Sequence, residues 1–322
     1  MVTQSIRFWR LAFMCVALSV PLAVVDCKLA ATASLKSGEF TVELNGMKLW
    51  YKVSGAGPVC MMPTPAWGPS SDLYFRTMHS IEKLFTMVYL DSRGTGRSGR
   101  AKTTQEYAWD NLVADLEALR VHLKQTKVWL MGHSEGGVYV LHYACKYPKR
   151  TRGLILLNSM AVSDTKWELD FTERIARRKG QPWYDDAAQA DKLIPKTDKE
   201  LAEQLRRTLP FYWSNPKKAE AFKDDFAATT FSAAALEGQQ KSKRYPFDLT
   251  AQIQKVTVPA LIVVGDDDFI CSPESATRMH LALPNSKYLL IEKAGHFPWM
   301  EQPMVFETRV TEFLKAMKYQ SK

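Results

Sequence analysis

Cysteine is scarce in this sequence and is not clustered. The chain has five cysteines in 322 residues, and no two of them stand in C-x-x-C spacing. Histidine and carboxylate residues form no run at metal-ligand spacing either. A disulfide framework and a structural zinc site both depend on such spacing. We therefore expect buried, reduced cysteines, no metal and no other cofactor.

Glycine and proline are not in excess, with 16 residues of each. This composition excludes a collagen-like repeat, a low-complexity polymer and a disordered charged tail. With 46% hydrophobic residues, a chain of this length can bury a sizeable core without covalent cross-links. The length is enough for one large domain or two modest ones.

Positive charge is in modest excess but is not concentrated. Lysine and arginine number 43 against 34 acidic residues, which gives a net charge of +9. The densest basic runs, residues 174–179 and 241–244, are short and are accompanied by no nucleic-acid-binding motif. Since short charge runs usually keep a surface hydrated, we expect no nucleic-acid partner.

The first 33 residues have the pattern of a secretory signal peptide. Arg7 and Arg10 precede an apolar run from Leu11 to Val25, and small residues follow at Ala31-Thr-Ala33. The apolar run is shorter than the ~20 residues that span a bilayer comfortably. We predict cleavage after Ala33, export to the periplasm or outside the cell, and no stable membrane span afterwards. An uncleaved membrane anchor is the alternative.

Strand-like and helix-like segments alternate along the rest of the chain. A hairpin is predicted at residues 40–53, where Asn45-Gly46 separates two alternating runs. Apolar strands are then predicted at 58–62, 87–90, 128–131, 153–157, 260–264 and 288–291, with helices at 73–84, 109–123, 136–147 and 305–317. Such alternation indicates an α/β fold with a mostly parallel sheet covered by helices on both faces.

The alternation of strands and helices breaks between residues 162 and 250. This segment is rich in aromatic residues and helical patterns, and several prolines interrupt it. We interpret it as a helical cap inserted between two strands, so that residues 34–161 and 251–322 form the core. In an α/β sheet, such an insertion would cover the carboxyl ends of the strands, where ligands bind.

A G-x-S-x-G pattern follows the strand predicted at residues 128–131. Gly132-His-Ser-Glu-Gly136 stands between that strand and a predicted helix. This is the context that a nucleophile on a tight strand-to-helix turn requires. Ser134 is therefore the candidate nucleophile. We interpret His133 beside it as a packing residue that also lines the substrate site.

A serine nucleophile needs a base, and the base needs an acid that orients it. Both residue types follow strands further along the chain. Gly265-Asp-Asp-Asp268 ends one predicted strand, and His296 lies on the loop after the next. From the residues alone, Asp266, Asp267 and Asp268 all remain candidates for the acid.

Four motifs occur along the chain in a fixed order: Asp91-Ser-Arg-Gly-Thr-Gly-Arg-Ser98, Gly132-His-Ser-Glu-Gly-Gly137, Gly265-Asp-Asp-Asp268 and Gly295-His-Phe-Pro-Trp-Met-Glu-Gln-Pro303. Together they resemble the α/β-hydrolase superfamily, in the branch of proline iminopeptidases and small-molecule esterases. The order serine, aspartate, histidine is also that of the superfamily. The resemblance implies an α/β-hydrolase fold with a helical cap, and Asp268 as the acid. It further implies that Ser134, His296 and Asp268 act as a triad through an acyl-enzyme.

The loop after the third strand departs from the family pattern. The family usually has His-Gly and further small residues there, one of whose N–H groups helps to bind the oxyanion. This chain has Met62-Pro-Thr-Pro-Ala-Trp-Gly68, and proline has no N–H to donate. One donor is expected to be the N–H of Glu135. The second must come from Thr64, Ala66 or Trp67, and Trp67 is also expected to contact substrate.

Gly94-Thr-Gly-Arg-Ser-Gly99 matches a G-x-G-x-x-G pattern, which raises a dinucleotide-binding oxidoreductase as an alternative. That fingerprint should open a helix at once, whereas no helical period begins before about residue 107. We therefore expect the segment from Asp91 to Ser98 to be a structural loop, in which Asp91 and Arg93 pair.

The aromatic residues of the cap favour a small, largely apolar substrate, and we predict a serine hydrolase for small esters, lactones or amides. A proline iminopeptidase-like aminopeptidase is an alternative. It would need a cap carboxylate to bind the free amine, and the candidates are Asp164, Glu168, Asp170 and Glu173. A catalytically weak ligand-binding protein on a hydrolase scaffold is a further alternative.

Overall fold

The computed structural model describes residues 35–242 and 244–320. The predicted signal peptide lies outside the described residues, so cleavage and export stay predictions. In the described part of the chain, no helix is both long enough and apolar enough to span a membrane. Cys60, Cys145 and Cys271 are free, and the first and third are buried while Cys145 is partly exposed.

The described strands form an eight-stranded sheet and a two-stranded ribbon. In chain order they are β1 (Gly38–Leu44), β2 (Met47–Gly55), β3 (Val59–Pro63), β4 (Thr86–Asp91), β5 (Val128–His133), β6 (Thr151–Leu157), β7 (Val162–Ser163), β8 (Phe247–Asp248), β9 (Ala260–Gly265) and β10 (Ser286–Ile291). The sheet has the order β1-β2-β4-β3-β5-β6-β9-β10, and β7 pairs with β8. The β1–β2 and β2–β4 pairs are antiparallel and the remaining pairs of the sheet are parallel. The prediction of a mostly parallel sheet is confirmed.

Helices connect the strands and flank the sheet. They are α1 (Asp72–Thr77), α2 (His79–Glu82), α3 (Trp109–His122), α4 (Glu135–Lys146), α5 (Thr165–Ala176), α6 (Tyr184–Asp191), α7 (Asp198–Thr208), α8 (Lys223–Ala228), α9 (Ala233–Lys241), α10 (Thr250–Ile253), α11 (Pro273–Ala282), α12 (Pro298–Glu301) and α13 (Pro303–Gln320). Short 3-10 turns lie at Thr104–Tyr107, Pro148–Arg150, Leu209–Tyr212 and Pro216–Phe222. The single helix predicted at 73–84 is instead split into α1 and α2, because Met78 between them has a non-helical backbone.

The central strands are buried on both faces. Every residue of β4, β5 and β9 is buried, which explains why these strands are apolar except at Thr86, Asp91 and His133 at their ends. Consecutive side chains of a strand point to opposite faces. On β5, accordingly, Leu130 joins one core cluster while Trp129 and Met131 join the other. At the sheet edge, the Asn45-Gly46 turn has positive φ at both residues, as a two-residue hairpin requires.

The cap is helical and leaves the core after β6. Helices α5 to α9 lie between β7 and β8, and the pairing of these two strands brings the ends of the segment together. Phe211 of the cap packs with Phe269, which follows β9, in a small core of their own. The cap is thus anchored at the carboxyl ends of β6 and β9.

The G-x-G-x-x-G segment forms turns and opens no helix, as expected of a structural loop. The expected pair of Asp91 and Arg93 is wrong. Asp91 accepts from the N–H of Ser71 (2.7 Å) and pairs with Arg97 (3.0 Å). Arg93 instead donates two hydrogen bonds of 2.8 Å to Asp115 on α3. The chain turns directly after β4, and this turn directs the two side chains to different partners.

Candidate active site

Ser134 lies on a tight turn between β5 and α4. Its backbone has φ +55° and ψ −129°, a conformation that a residue other than glycine keeps only when surrounding contacts hold it there. Its N–H donates to the carbonyl of Leu157 (3.0 Å), and its own carbonyl accepts from Ser159 Oγ (2.8 Å). A Cβ at Gly132 would overlap the carbonyl oxygen of Gly136. The close approach of strand and helix therefore requires glycine at this position.

His296 follows β10 and faces Asp268, which follows β9. The distance between His296 Nδ1 and Asp268 Oδ2 is 2.8 Å, and both side chains are buried. Asp268 also accepts from Asn158 Nδ2 (2.7 Å) and from the N–H groups of Ile270 (3.0 Å) and Cys271 (3.2 Å). Burial acts to raise the pKa of Asp268, but His296 and these donors hold it below its usual value. The carboxylate is therefore ionised.

The two aspartates before Asp268 have other partners. Asp267 forms an ion pair with Arg178 (3.1 Å) and is about half exposed. Asp266 accepts a hydrogen bond from the N–H of Ala294 (3.2 Å). Of the three consecutive aspartates, the fold places Asp268 against His296.

A cavity of about 960 Å³ is lined by both Ser134 and His296. Apolar and aromatic side chains form much of its wall, among them Trp67, Leu73, Leu209, Phe226, Phe231, Ile270 and Phe297. The rings of Trp67 and Phe231 stack with their centroids 6.2 Å apart. Exposed charged residues of the cap also line it: Lys199, Glu203, Arg206, Lys217 and Glu220. The cavity thus combines a largely apolar wall with charged side chains that reach solvent.

His133 also lines the cavity, and both of its ring nitrogens are engaged. Nε2 lies 2.9 Å from the carbonyl oxygen of His296, and Nδ1 lies 3.0 Å from the hydroxyl of Tyr74. Since a carbonyl can only accept, Nε2 carries the proton and Nδ1 accepts from the tyrosine. Burial and the neighbouring His296 lower the pKa of His133 well below its usual value, so the ring is neutral. Its polar atoms hold the loop of His296.

The three residues expected to supply a second oxyanion donor differ in availability. The N–H of Thr64 donates to the carbonyl of Leu90 (3.0 Å) within the sheet, so it is not free, contrary to the expectation. Within residues 35–242 and 244–320, the N–H groups of Ala66 and Trp67 have no hydrogen-bond acceptor. The N–H of Glu135 is the first of α4, where a helix supplies no acceptor of its own. Glu135, Ala66 and Trp67 are the donors that remain available.

Comparison with protein families agrees with this architecture. A family model described as the α/β hydrolase fold matches residues 63–303, which is more than half of the chain. The chain belongs to this family.

Proline iminopeptidases are among the proteins to which this α/β hydrolase is similar. One from Pestalotiopsis fici is 25% identical over 268 residues, covering 81% of this chain and 94% of that protein. One from Clostridioides difficile is 27% identical over 303 residues, covering 88% of this chain and 99% of that protein. Among solved structures, an α/β fold family hydrolase from Bacillus anthracis matches with a TM-score of 0.73 at 18% identity, covering 86% of this chain and 99% of that one. At this sequence identity, the similarity to the Bacillus anthracis structure shows a shared fold only.

The four acidic residues that were candidates for binding a free amine in the aminopeptidase alternative do not line the cavity of this α/β hydrolase. Three of them form ion pairs with arginines: Asp164 with Arg278, Asp170 with Arg174, and Glu173 with Arg177. Among the described residues, the carboxylates that do line the cavity are Glu203 and Glu220. Both are exposed, and they pair with Arg206 (2.7 Å) and Lys223 (2.6 Å).

Two residues at the α/β-hydrolase site are marked by no sequence motif. Cys271 Sγ lies within 4.8 Å of ligand atoms of Asp268 and His296, and the thiol contacts Ser134. Burial raises the pKa of Cys271 well above its usual value, so the thiol that contacts Ser134 stays neutral. Asn158, which binds Asp268, could have been suspected because it directly follows β6 at the same edge of the sheet.

Proposed function

We propose that this protein is a serine hydrolase that cleaves the acyl bond of a small ester, lactone or amide. One observation carries the proposal: Ser134 on its strained turn lines the same cavity as His296, whose Nδ1 lies 2.8 Å from the buried Asp268. An imidazole base that a carboxylate orients can activate a serine hydroxyl as a nucleophile.

In the proposed reaction, His296 accepts the hydroxyl proton at Nε2, because its Nδ1 donates to Asp268. The Ser134 oxygen bonds to the substrate carbonyl carbon, and the N–H of Glu135 with a second N–H from the loop after β3 stabilises the oxyanion. The intermediate then collapses: the bond to the leaving group breaks, and that group takes the proton from His296. Water, which gives a proton to His296, attacks the acyl-enzyme and releases the acid, and the proton returns to Ser134.

The lining of the cavity supports an apolar acyl substrate rather than one with a free amine. Within the described residues, the carboxylates along its wall are exposed and already paired. Among the described residues that line the cavity, no buried carboxylate could replace the hydration that an ammonium group near Ser134 would lose, which is unfavourable. The buried carboxylates beside the cavity, Asp268 and Glu135, already pair with His296 and Arg244. Esters and lactones carry no such charge and are the proposed substrate class.

The similarity to proline iminopeptidases favours a second candidate, removal of an N-terminal proline. The 4-nitroanilides of L-proline and of cyclopentanecarboxylic acid share a leaving group and differ in the ring nitrogen. We expect kcat/KM for the cyclopentane compound to equal or exceed that for the proline compound. A clear preference for proline would establish the aminopeptidase.

Labelling of the purified full chain with a fluorophosphonate probe tests the proposed function. We expect the adduct on Ser134, located by mass spectrometry, with no label in Ser134→Ala and much slower labelling in His296→Ala. A protein that is folded by circular dichroism and takes no label would overturn the proposal, and ligand binding without catalysis would replace it.

A further inference from the structure

Glu301 is a buried carboxylate that the triad does not use. It ends α12, a short helix that begins two residues after His296, and 3% of its surface is exposed. Its Oε1 accepts from the N–H of Gly295 (2.6 Å), the residue directly before His296. One oxygen of the side chain therefore holds the loop that carries the histidine.

The second carboxylate oxygen of Glu301 binds the cap. Oε2 accepts from the N–H groups of Ser214 (3.0 Å) and Asn215 (3.3 Å). The same stretch of the cap contacts the histidine loop at another point, where the N–H of His296 donates to the carbonyl of Tyr212 (2.7 Å). The rings of these two residues meet edge-on with centroids 5.4 Å apart, and Tyr212 lines the cavity. One carboxylate thus bridges the histidine loop and a wall of the cavity.

We propose that Glu301 is a positioning residue that latches the cap to the His296 loop, and that the latch opens more readily when this carboxyl group is ionised. The latch is defined by the hydrogen bonds from Gly295, Ser214 and Asn215 to Glu301. Only its consequence for catalysis rests on the proposed function.

The carboxyl group of Glu301 changes charge near neutral pH. Burial raises its pKa to about 7, although the three N–H groups and the charge of Lys218 act to lower it. Lys218 Nζ donates to the carbonyl oxygen of Glu301 (2.7 Å) and is the charged group that faces it from the cap. His296, one residue after Gly295, is the nearest titratable residue along the histidine loop, and its Nδ1 is bound to Asp268.

The direction of the pH effect follows from the raised pKa. Because the pKa in the closed latch is higher than the 4.5 of a free glutamate, protons bind more tightly to the closed latch than to an open, hydrated one. The closed latch is therefore most stable below the ordinary pKa and weakens as the pH rises through about 7. If opening hydrates the carboxyl group fully, the opening equilibrium constant rises up to about 70-fold between pH 5 and pH 8.

Hydrogen exchange at the three bridging amides tests the latch. Exchange in peptides that contain Gly295 and Ser214–Asn215 would be measured on the full chain from pH 5 to pH 8. Rates would be corrected for the intrinsic pH dependence of amide exchange, with β5 as internal reference. We expect protection at the latch, relative to β5, to fall about tenfold or more as the pH rises. Protection that does not change with pH would overturn the proposal.

Two variants sharpen the test. Glu301→Gln removes the titrating group at nearly the same volume, and Glu292→Gln changes an exposed residue of the neighbouring loop as the matched control. In Glu301→Gln we expect the pH dependence of protection to disappear, because glutamine does not titrate. We also expect kcat/KM for an ester to fall about ten- to a hundredfold. An amide has one acceptor oxygen, so it can bind either Gly295 or the cap but not both, and the base is misplaced. Glu292→Gln should match the wild type in both measurements. A Glu301→Gln protein whose protection still falls with pH like the wild type would refute the latch.

Failure of the latch and failure of the proposed function give different results. A chain that takes no fluorophosphonate label would refute the proposed hydrolase function. Hydrogen exchange needs no substrate, so the exchange data would still test whether the latch exists. If Glu301→Gln does not fold, the pH dependence of hydrogen exchange in the wild type is by itself sufficient to test the latch.

Discussion

The carboxyl edge of the sheet and the cap above it hold their polar side chains in different ways. At the edge, Asp268 is fully buried and accepts from a histidine, an amide side chain and two N–H groups, and each ring nitrogen of His133 has a partner. In the cap, ion pairs such as Glu173–Arg177 and Glu203–Arg206 lie on exposed helix surfaces. Exposed pairs contribute little to stability, whereas a network of buried hydrogen bonds fixes the geometry of its members. We therefore expect substitutions of the buried polar residues at the edge to disturb the site, and substitutions on the surface of the cap to have little effect.

Two buried contacts connect these unlike regions. The first is the Glu301 latch. The second is the ion pair between Glu135, beside the nucleophile, and Arg244, near the end of the cap, with a distance of 3.2 Å and side chains 4% and 1% exposed. Gln239 of α9 also donates to Glu135 (2.6 Å). The cap thus carries exposed ion pairs on its outside and buried charged contacts at its base.

The largest effect is expected from a substitution at the carboxyl edge of the sheet. In Asp268→Asn, an amide cannot hold the imidazole in the tautomer that leaves Nε2 free to accept a proton. We expect kcat for an ester to fall about 10⁴-fold while the fold is retained. The control is Asp267→Asn, its half-exposed neighbour, which should keep nearly wild-type kcat at saturating substrate. An Asp268→Asn protein with most of its activity would show that the edge is not the reacting centre.

A smaller but still large effect is expected where the cap joins the core. Arg244→Gln would leave Glu135 buried without its counter-charge. The guanidinium forms no hydrogen bond in this pair, and Gln239 still donates to Glu135 in the variant. We therefore expect the free energy of unfolding to fall by about 1–3 kcal/mol, measured by urea denaturation at pH 7. Arg177→Gln, which breaks an exposed pair, is the matched control. Equal losses in the two variants would show that the attachment is no stronger than the surface of the cap.

The smallest effect is expected on the outer surface of the cap. Glu173→Gln removes an exposed carboxylate whose partner is Arg177, four residues along α5. Solvent screens such a pair, so we expect the urea midpoint and kcat/KM to stay at wild-type values within error. A clear loss of stability here would mean that the cap surface is as constrained as the edge of the sheet.

Features that depend on residues close together in the chain could be predicted from the sequence. The turn around Ser134 was predictable because a strand that passes directly into a helix needs glycine where the two approach. The strands β4, β5 and β9 were predictable because burial on both faces favours a continuous apolar run, which polar residues interrupt only at the strand ends. The split between α1 and α2 at Met78 was not, since the apolar period continues through it.

Contacts between distant residues could not be predicted in the same way. Arg97 and Arg93 are both close to Asp91 in the chain, and the path of the turn after β4 decides that Arg97 pairs with it. The sequence does not distinguish the N–H of Thr64 from that of Ala66 as an oxyanion donor. In the fold, the N–H of Thr64 lies beside Leu90 and donates to its carbonyl oxygen.

By itself, the sequence determined the α/β class of the fold, the nucleophile turn and the strand ends that carry an acid and a histidine. From the residues alone it left three aspartates equal. It assigned no role to Glu301, which lies within the fourth motif, or to Arg244, which ends a basic run. Only the tertiary structure placed Asp268 against His296, and Glu301 between the histidine loop and the cap. The physical reason is that local patterns specify backbone conformation and burial. The direction of a side chain and its partner depend on strand order and loop paths, which many distant contacts decide together.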